Sequence, residues 1–403
     1  MDTDAIYEQY LKAGLKLDLT RGKPCPEQLA LSEAMDQTIA GNFFAEDGTD
    51  TRNYGGILGI DEARKLGARL LDVDAQNVLA GGNSSLTLMY QFLLWRRQIW
   101  RQQDPNTRPK FLCVVPGYDR HFTICEHLDI DMVTVGFNDQ GPDMDRIEAL
   151  LDADPALRGI WCVPKHSNPT GHTYSNETVQ RLAELPNRCQ QEFVVMWDNA
   201  YAVHDLVAQT QPLANLLKSA VQAGTAHSMA LFASTSKITF SGAGLAFCGL
   251  SQTQLKAFEA FLAPQMIGFD KVNQLRHARF LKDAETLAKH MMAHQAILAP
   301  KFARVHEKLQ PLAEAGLATF SQPVGGYFVS LDLTRASAKS VVALANAVGV
   351  TLTPAGATFP YGNDPDDKNI RIAPSFPDMM ALDQALDVLV CCIFKASEQP
   401  KPS

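Results

Sequence analysis

An α/β fold built on a largely parallel sheet is predicted by three observations. Between about residues 75 and 250, apolar runs of strand length alternate with helix-like stretches. Those runs are apolar throughout instead of alternating with polar residues, as strands covered on both faces require. The chain is also long, 403 residues, more than one compact core usually holds, so two lobes are expected.

The elements follow in order. The opening "MDTDAIYEQYLKAGLKLDL" reads as a short amphipathic helix carrying acids, without the basic start and apolar centre of a signal peptide. An apolar strand closes at "GGNSSL" (81–86), which opens a helix. Strands are expected at "FLCVVPG" (111–117), "DMVTVGF" (131–137), "GIWCVP" (159–164), "EFVVMWD" (192–198), "MALFAST" (229–235) and "GLAFCGL" (244–250). Helical patterns such as "DRIEALLDAD" and "NETVQRLAELP" lie between several of them. After residue 270 a long helix is expected over roughly Asp283 to Glu314, broken or kinked at Pro300. A strand "GYFVSLDL" (326–333), a helix "SVVALANAVGV", a strand "NIRIAP" (369–374) and a helix from about Asp378 to Ala396 close the chain. The expected division is a large domain over 45–275, with 1–44 and 276–403 forming a smaller α+β domain.

Composition narrows the function classes. The net charge is −8, which argues against a nucleic-acid footprint. No apolar run reaches the roughly 18 residues of a membrane span, so the expected location is cytoplasmic. The eight cysteines are scattered without a C-x-x-C pair and read as buried, reduced thiols. His290 and His294 in "HMMAH" lack the glutamate of H-E-x-x-H, so they read as a helix-face pair and no metal is expected. No G-x-S-x-G elbow is present.

In an open α/β sheet, ligands sit at the carboxyl ends of the strands. Those ends carry "PGYDRH", "KHSNPTG", "DNAY" and "STSK", which bring an aromatic ring, an asparagine, an aspartate with a tyrosine, and a lysine to one crevice. The set suits pyridoxal phosphate. That cofactor needs an amine for its aldehyde, a carboxylate for its ring nitrogen, an aromatic face, and donors for its phosphate.

The motifs "LDLTRGKPCPEQL", "RNYGG", "PGYDRHF", "GPDMD", "SNPTG", "WDNAYAVH", "STSKIT", "KVNQLRHARF" and "NIRIAPS" span nearly the whole chain. Together they resemble a bacterial subgroup of the class I aspartate aminotransferases, which are fold-type I enzymes dependent on pyridoxal 5′-phosphate. The fold this implies is a large domain with a mostly parallel seven-stranded sheet flanked by helices, plus a smaller α+β domain. Transcription regulators with similar domains carry an N-terminal DNA-binding domain; here the match begins near residue 15, which leaves no room for one.

The resemblance implies a role for each matching residue. Lys237 would bond the cofactor aldehyde and later act as base. Asp198 would hold the ring nitrogen, Tyr201 and Asn168 the phenolic oxygen, and Tyr118 would stack on the ring, with His121 supporting the carboxylate. Asn83, Ser84, Ser85, Ser234 and Ser236 would receive the phosphate, joined by Tyr54 from the neighbouring subunit of a homodimer. Most relatives place a phosphate-clamping arginine seven or eight residues after the lysine, where this chain has Gly244 and Leu245. Arg371 would bind the substrate α-carboxylate through its fork. The second carboxylate of aspartate or 2-oxoglutarate needs another cation, and Arg21, Lys23 and Arg120 are the candidates, Arg21 first, with Gly22 beside it. The activity implied is transfer of the amino group of L-aspartate to 2-oxoglutarate. The alternatives are an aminotransferase of aromatic or other amino acids, a β-lyase with the same cofactor, or a cofactor-binding regulator without turnover.

Overall fold

A computed structural model describes residues 3–398. Its centre is a seven-stranded sheet in the spatial order Val78–Ala80, Ala246–Gly249, Met229–Ser234, Val194–Asp198, Leu157–Cys162, Lys110–Val114 and Asp131–Val135. Ala246–Gly249 runs antiparallel to both neighbours, and the other pairs are parallel. Each of the six apolar runs anticipated from the sequence supplies one of these strands. Four of them, Leu157–Cys162, Val194–Asp198, Met229–Ser234 and Ala246–Gly249, are buried at every residue, because helices cover both faces and leave no side for polar groups.

Two apolar cores sandwich the sheet. One face packs Leu66, Ile147, Leu182 and Ala220 from flanking helices, and the other packs Phe92, Phe122, Phe258 and Trp161. Helix starts are fixed by side-chain caps: Ser84 accepts from the Thr87 amide, Ser175 from Thr178 and Asn215 from Lys218, each satisfying an amide that the first turn leaves open.

A second body of structure gathers the two ends of the chain. Strands Ala318–Phe320, Val329–Leu333 and Asn369–Ile372 form an antiparallel sheet. Leu17–Asp18 pairs in parallel with Val350–Thr351. A third core lies among these strands and helices Ala284–Glu314, Ala338–Ala347 and Met379–Ser397.

Two local expectations are corrected. The opening helix spans only Thr3–Ala13; Gly14 takes φ +61°, a left-handed conformation that ends a helix cheaply only in glycine. The long helix Ala284–Glu314 runs through both Pro300 and Pro311, so the break expected at Pro300 does not occur. A proline removes one amide donor per site, and the helix is held across Pro300 by buried Leu298, Lys301, Phe302 and Val305. Lys301 is anchored there by donating to the carbonyls of Ser375 and Pro377 at 2.8 and 2.7 Å.

Candidate active site

The carboxyl ends of the central strands open into a cleft of about 730 Å³. Its wall includes Tyr118, Asn168, Asp198, Tyr201, Lys237 and Arg371. Asp198 is the last residue of its strand, and Tyr201 follows in the next turn. Tyr118 precedes helix Asp119–His127, whose first turn carries His121. Lys237 sits in the turn just after Met229–Ser234.

Asp198 is buried, and its Oδ2 lies 3.0 Å from His121 Nε2. The His121 ring stacks flat on Trp161, 4.1 Å between centroids and 7° between planes, so its ring nitrogen can aim in only one direction. Asp198 Oδ1 has no hydrogen-bond partner among the described residues. Tyr118 meets the same histidine edge-on at 5.0 Å. Burial, with Asp198 nearby, pushes the Tyr118 phenol up to about 12.

The Lys237 amine lies 5.0 Å from the Tyr201 ring centroid. Burial lowers its pKa, partly opposed by the Asp198 charge. Tyr201 is pushed well above the usual phenol range by burial, with further contributions from Tyr118 and Asp198. Arg371 stands on the strand Asn369–Ile372 and is 7% exposed. Its Nη1 donates to Asp119 Oδ1 at 3.0 Å and to Asn168 Oδ1 at 3.4 Å, while its guanidinium lies 4.9 Å over the Phe328 ring. The buried Nε has no partner among the described residues, which leaves one edge of the fork open for an anion.

Arg21, Gly22, Lys23 and Arg120 line the mouth of the same cleft. Arg21 is exposed, and its side chain makes no ion pair or hydrogen bond among the described residues, though its carbonyl accepts from the Lys23 amide at 2.9 Å. Lys23 is held 3.7 Å over the Phe376 ring, and Arg120 approaches Asp119 at 4.0 Å. At Gly22 an added Cβ would come within 2.5 Å of the Phe328 ring, so only glycine lets the chain pass there.

Asn83, Ser84 and Ser85 lie at the start of helix Ser85–Gln103, beside the Ser234–Ser236 turn. Ser236 Oγ donates to Asn83 O at 3.3 Å, and the Ser236 amide to Ser234 Oγ at 3.4 Å. Of this group, Ser85 lines the cleft itself. A helix start with free amides and hydroxyls is a place for an anion. At the two positions where relatives carry that arginine, a Cβ on Gly244 would meet Ser236 Cα at 3.1 Å, and Leu245 is wholly buried.

Tyr54 stands apart from the cleft, 83% exposed. Its loop is held by Lys271, whose Nζ donates to the carbonyls of Asn53 and Gly55, both at 2.7 Å. Sequence reasoning passed over Lys271 and Asp119. Asp119 lay directly beside Tyr118, where a carboxylate at the cleft edge was the available signal.

These groups can hold a planar ligand with a ring nitrogen at Asp198, a carbonyl carbon at Lys237, an anion at the helix start and a carboxylate at Arg371. Residues 1–402 match the family described as aspartate amino-transferase. A protein of Mycolicibacterium smegmatis whose name gives aminotransferase and no substrate is 45% identical, over 98% of this chain and 94% of its own. The aspartate aminotransferase of Corynebacterium glutamicum is 41% identical, over 99% and 93%. A crystal structure of an aspartate transaminase from that organism superimposes with a TM-score of 0.92 at 41% identity, covering 98% of this chain and 95% of the other.

Proposed function

The chain belongs to the aspartate aminotransferase family and is an aminotransferase of the fold-type I class; on that premise we propose that it carries pyridoxal 5′-phosphate on Lys237 and moves the amino group of L-aspartate to 2-oxoglutarate, giving oxaloacetate and L-glutamate. The observation that carries this reading is the unpartnered Oδ1 of buried Asp198. A carboxylate oxygen left bare inside a protein is unfavourable, and a protonated pyridine nitrogen is the donor that would satisfy it. When bound, the cofactor supplies an aldehyde and an electron-accepting ring.

The chain's own residues do the rest. His121, fixed on Trp161, donates to Asp198 Oδ2 and holds the carboxylate in the plane it needs. Lys237, its amine made less basic by burial, is suited to attack a carbonyl carbon and then to carry a proton from the amino-acid Cα. Tyr201 and Asn168 would hold the phenolic oxygen and Tyr118 would support the ring. Asn83, Ser84, Ser85, Ser234 and Ser236 would hold the phosphate through amides and hydroxyls. Arg371 offers its open edge to the α-carboxylate, a charge-assisted fork that fixes which Cα bond faces the lysine. Arg21 takes the second carboxylate, since it is the cation at the cleft mouth with no competing partner among the described residues, with Gly22 and Arg120 beside it.

The working form in this reading is a cytoplasmic homodimer in which Tyr54 reaches the partner's phosphate site. Its exposure and the Lys271 anchor support that. The large domain 45–275 then carries the cofactor, and the small domain of 1–44 and 276–403 supplies Arg21 and Arg371. Among the described residues no helix is long and apolar enough to cross a membrane. The test is oxaloacetate release from aspartate with 2-oxoglutarate as acceptor. Turnover with aspartate at least about tenfold faster than with phenylalanine supports the assignment, a threshold well below the roughly 10⁴-fold that an unmatched buried polar group can impose. The reverse order assigns the enzyme to aromatic substrates, and no turnover with any amino acid leaves a cofactor-binding regulator.

A further inference from the structure

Behind Lys237, on the side away from the cleft, lies a buried polar network that the reaction does not use directly. The turn after Met229–Ser234 closes when the amides of Ile238 and Thr239 donate to Thr235 O, both at 2.8 Å. One turn of this kind does not continue as a helix, so its last carbonyls need donors from elsewhere. Lys237 O receives two, from Tyr327 Oη at 3.2 Å and His204 Nε2 at 3.3 Å. Ile238 O receives two more, from His290 Nε2 at 2.7 Å and His294 Nε2 at 2.9 Å, with Ser32 Oγ at the outer reach of a hydrogen bond, 3.5 Å.

The donors are themselves organised by one side chain. Gln28 Nε2 donates to Tyr327 Oη at 2.8 Å and to His294 Nδ1 at 3.0 Å. With Nδ1 accepting, the His294 proton sits on Nε2, the atom that faces Ile238 O. Gln28 Oε1 in turn accepts from the Cys25 amide at 3.2 Å. Gln28, His204, His294 and Tyr327 are each no more than 3% exposed. The network therefore ties helix Pro26–Ala30, helix Ala284–Glu314 and the segment before Val329–Leu333 to two consecutive carbonyls. The Gln28 bond requires a neutral His294, and burial lowers the pKa of His204, His290 and His294 alike.

We propose that Gln28, His204, His290, His294 and Tyr327 form a positioning clamp that holds the Lys237 and Ile238 carbonyls from behind and so fixes the approach of the lysine amine. The proposal rests on the reading of Lys237 as the cofactor-bearing lysine. A lysine side chain swings freely, and reaction at one carbon demands a single approach; a turn with both carbonyls doubly held removes the backbone share of that freedom. This also accounts for the four-residue spacing of His290 and His294, which puts both rings on one helix face.

The test uses the cofactor-loaded protein and its variants Tyr327→Phe, His290→Ala and His290→Gln. Three quantities are read: the pH midpoint of the visible absorption band, kcat and KM for aspartate, and Tm. Tyr327→Phe keeps the ring and removes one donor to Lys237 O. It is expected to move the midpoint by at least about half a pH unit and to lower kcat about fivefold with KM within about twofold, the size of one hydrogen bond expressed in rate. His290→Gln, which keeps a donor, should recover most of what His290→Ala loses. A midpoint and kcat equal to wild type in Tyr327→Phe overturn the clamp. So does a His290→Gln protein as impaired as His290→Ala. A wild-type protein that takes up no pyridoxal phosphate defeats the reading of Lys237 itself, and shows it before any variant is made.

Discussion

Replacing Arg371 by glutamine removes the buried guanidinium proposed to bind the substrate α-carboxylate. The guanidinium is 7% exposed, held through Nη1 by Asp119 and Asn168, and backed by Phe328. Deleting one partner of a buried, hydrogen-bonded charge pair costs about 3–5 kcal/mol. Water reaches the neighbourhood, since the Asp119 side chain is 31% exposed, and would hydrate part of the stranded carboxylate. The lower end, about 3 kcal/mol, therefore applies, and at about 1.4 kcal/mol per decade this is about two decades in kcat/KM. Arg371→Lys keeps the charge but loses the planar fork and the stacking on Phe328, so about one decade is expected. Initial rates with aspartate and 2-oxoglutarate measure both. A primary amine without a carboxylate, followed in a single turnover, provides the control and should be almost indifferent to the change. A loss under about threefold with aspartate, or an equal loss with the carboxylate-free amine, would refute the reasoning, because either result makes Arg371 a structural residue.

Three further outcomes are expected. Arg21→Ala should reduce turnover of aspartate far more than that of a neutral amino acid, and equal losses would reject its assignment to the second carboxylate. Stability should fall on acidification: burial holds His277 and His294 down to about 4. Between that value and the ordinary 6.5 the unfolded chain binds protons that the folded one refuses, so stability is lost as pH drops through this window. At pH 5 the loss is about 1–2 kcal/mol for each histidine relative to pH 7. Urea midpoints at the two pH values measure it; His277→Gln should flatten the slope, and a midpoint independent of pH would contradict it. Mixing inactive Tyr54→Ala with inactive Lys237→Ala should restore about a quarter of wild-type activity, because half the dimers are mixed and each holds one intact site; no recovery after subunit exchange would place Tyr54 in its own subunit's chemistry, and a fully active Tyr54→Ala would remove it from the site.

The large sheet was legible because its strands are long apolar runs separated by helices, a pattern that follows directly from burial on both faces. The pairs Leu17–Asp18 with Val350–Thr351 and the strand Ala318–Phe320 were not legible. Two or three residues carry no periodicity, and the partner of Leu17–Asp18 lies more than 300 residues away in the chain. Pro300 misled for a different reason: its local penalty is real, but packing along helix Ala284–Glu314 outweighs it. At the site, Lys237, Asp198, Tyr118 and Asn168 stood out because strand ends are where ligands gather. The support behind Lys237 was invisible. Gln28 and Tyr327 are 299 residues apart, and a buried glutamine, tyrosine or histidine announces nothing until the fold shows which carbonyl it faces.

The most direct test of the account is the absorption spectrum of the purified protein supplied with pyridoxal phosphate, recorded before and after aspartate is added without a keto acid. The account predicts a visible band that is lost on adding aspartate, with oxaloacetate released in equal amount, and no such conversion in Lys237→Ala. A visible band that aspartate leaves untouched would contradict the substrate assignment, and no band after added pyridoxal phosphate would contradict the central claim for Lys237.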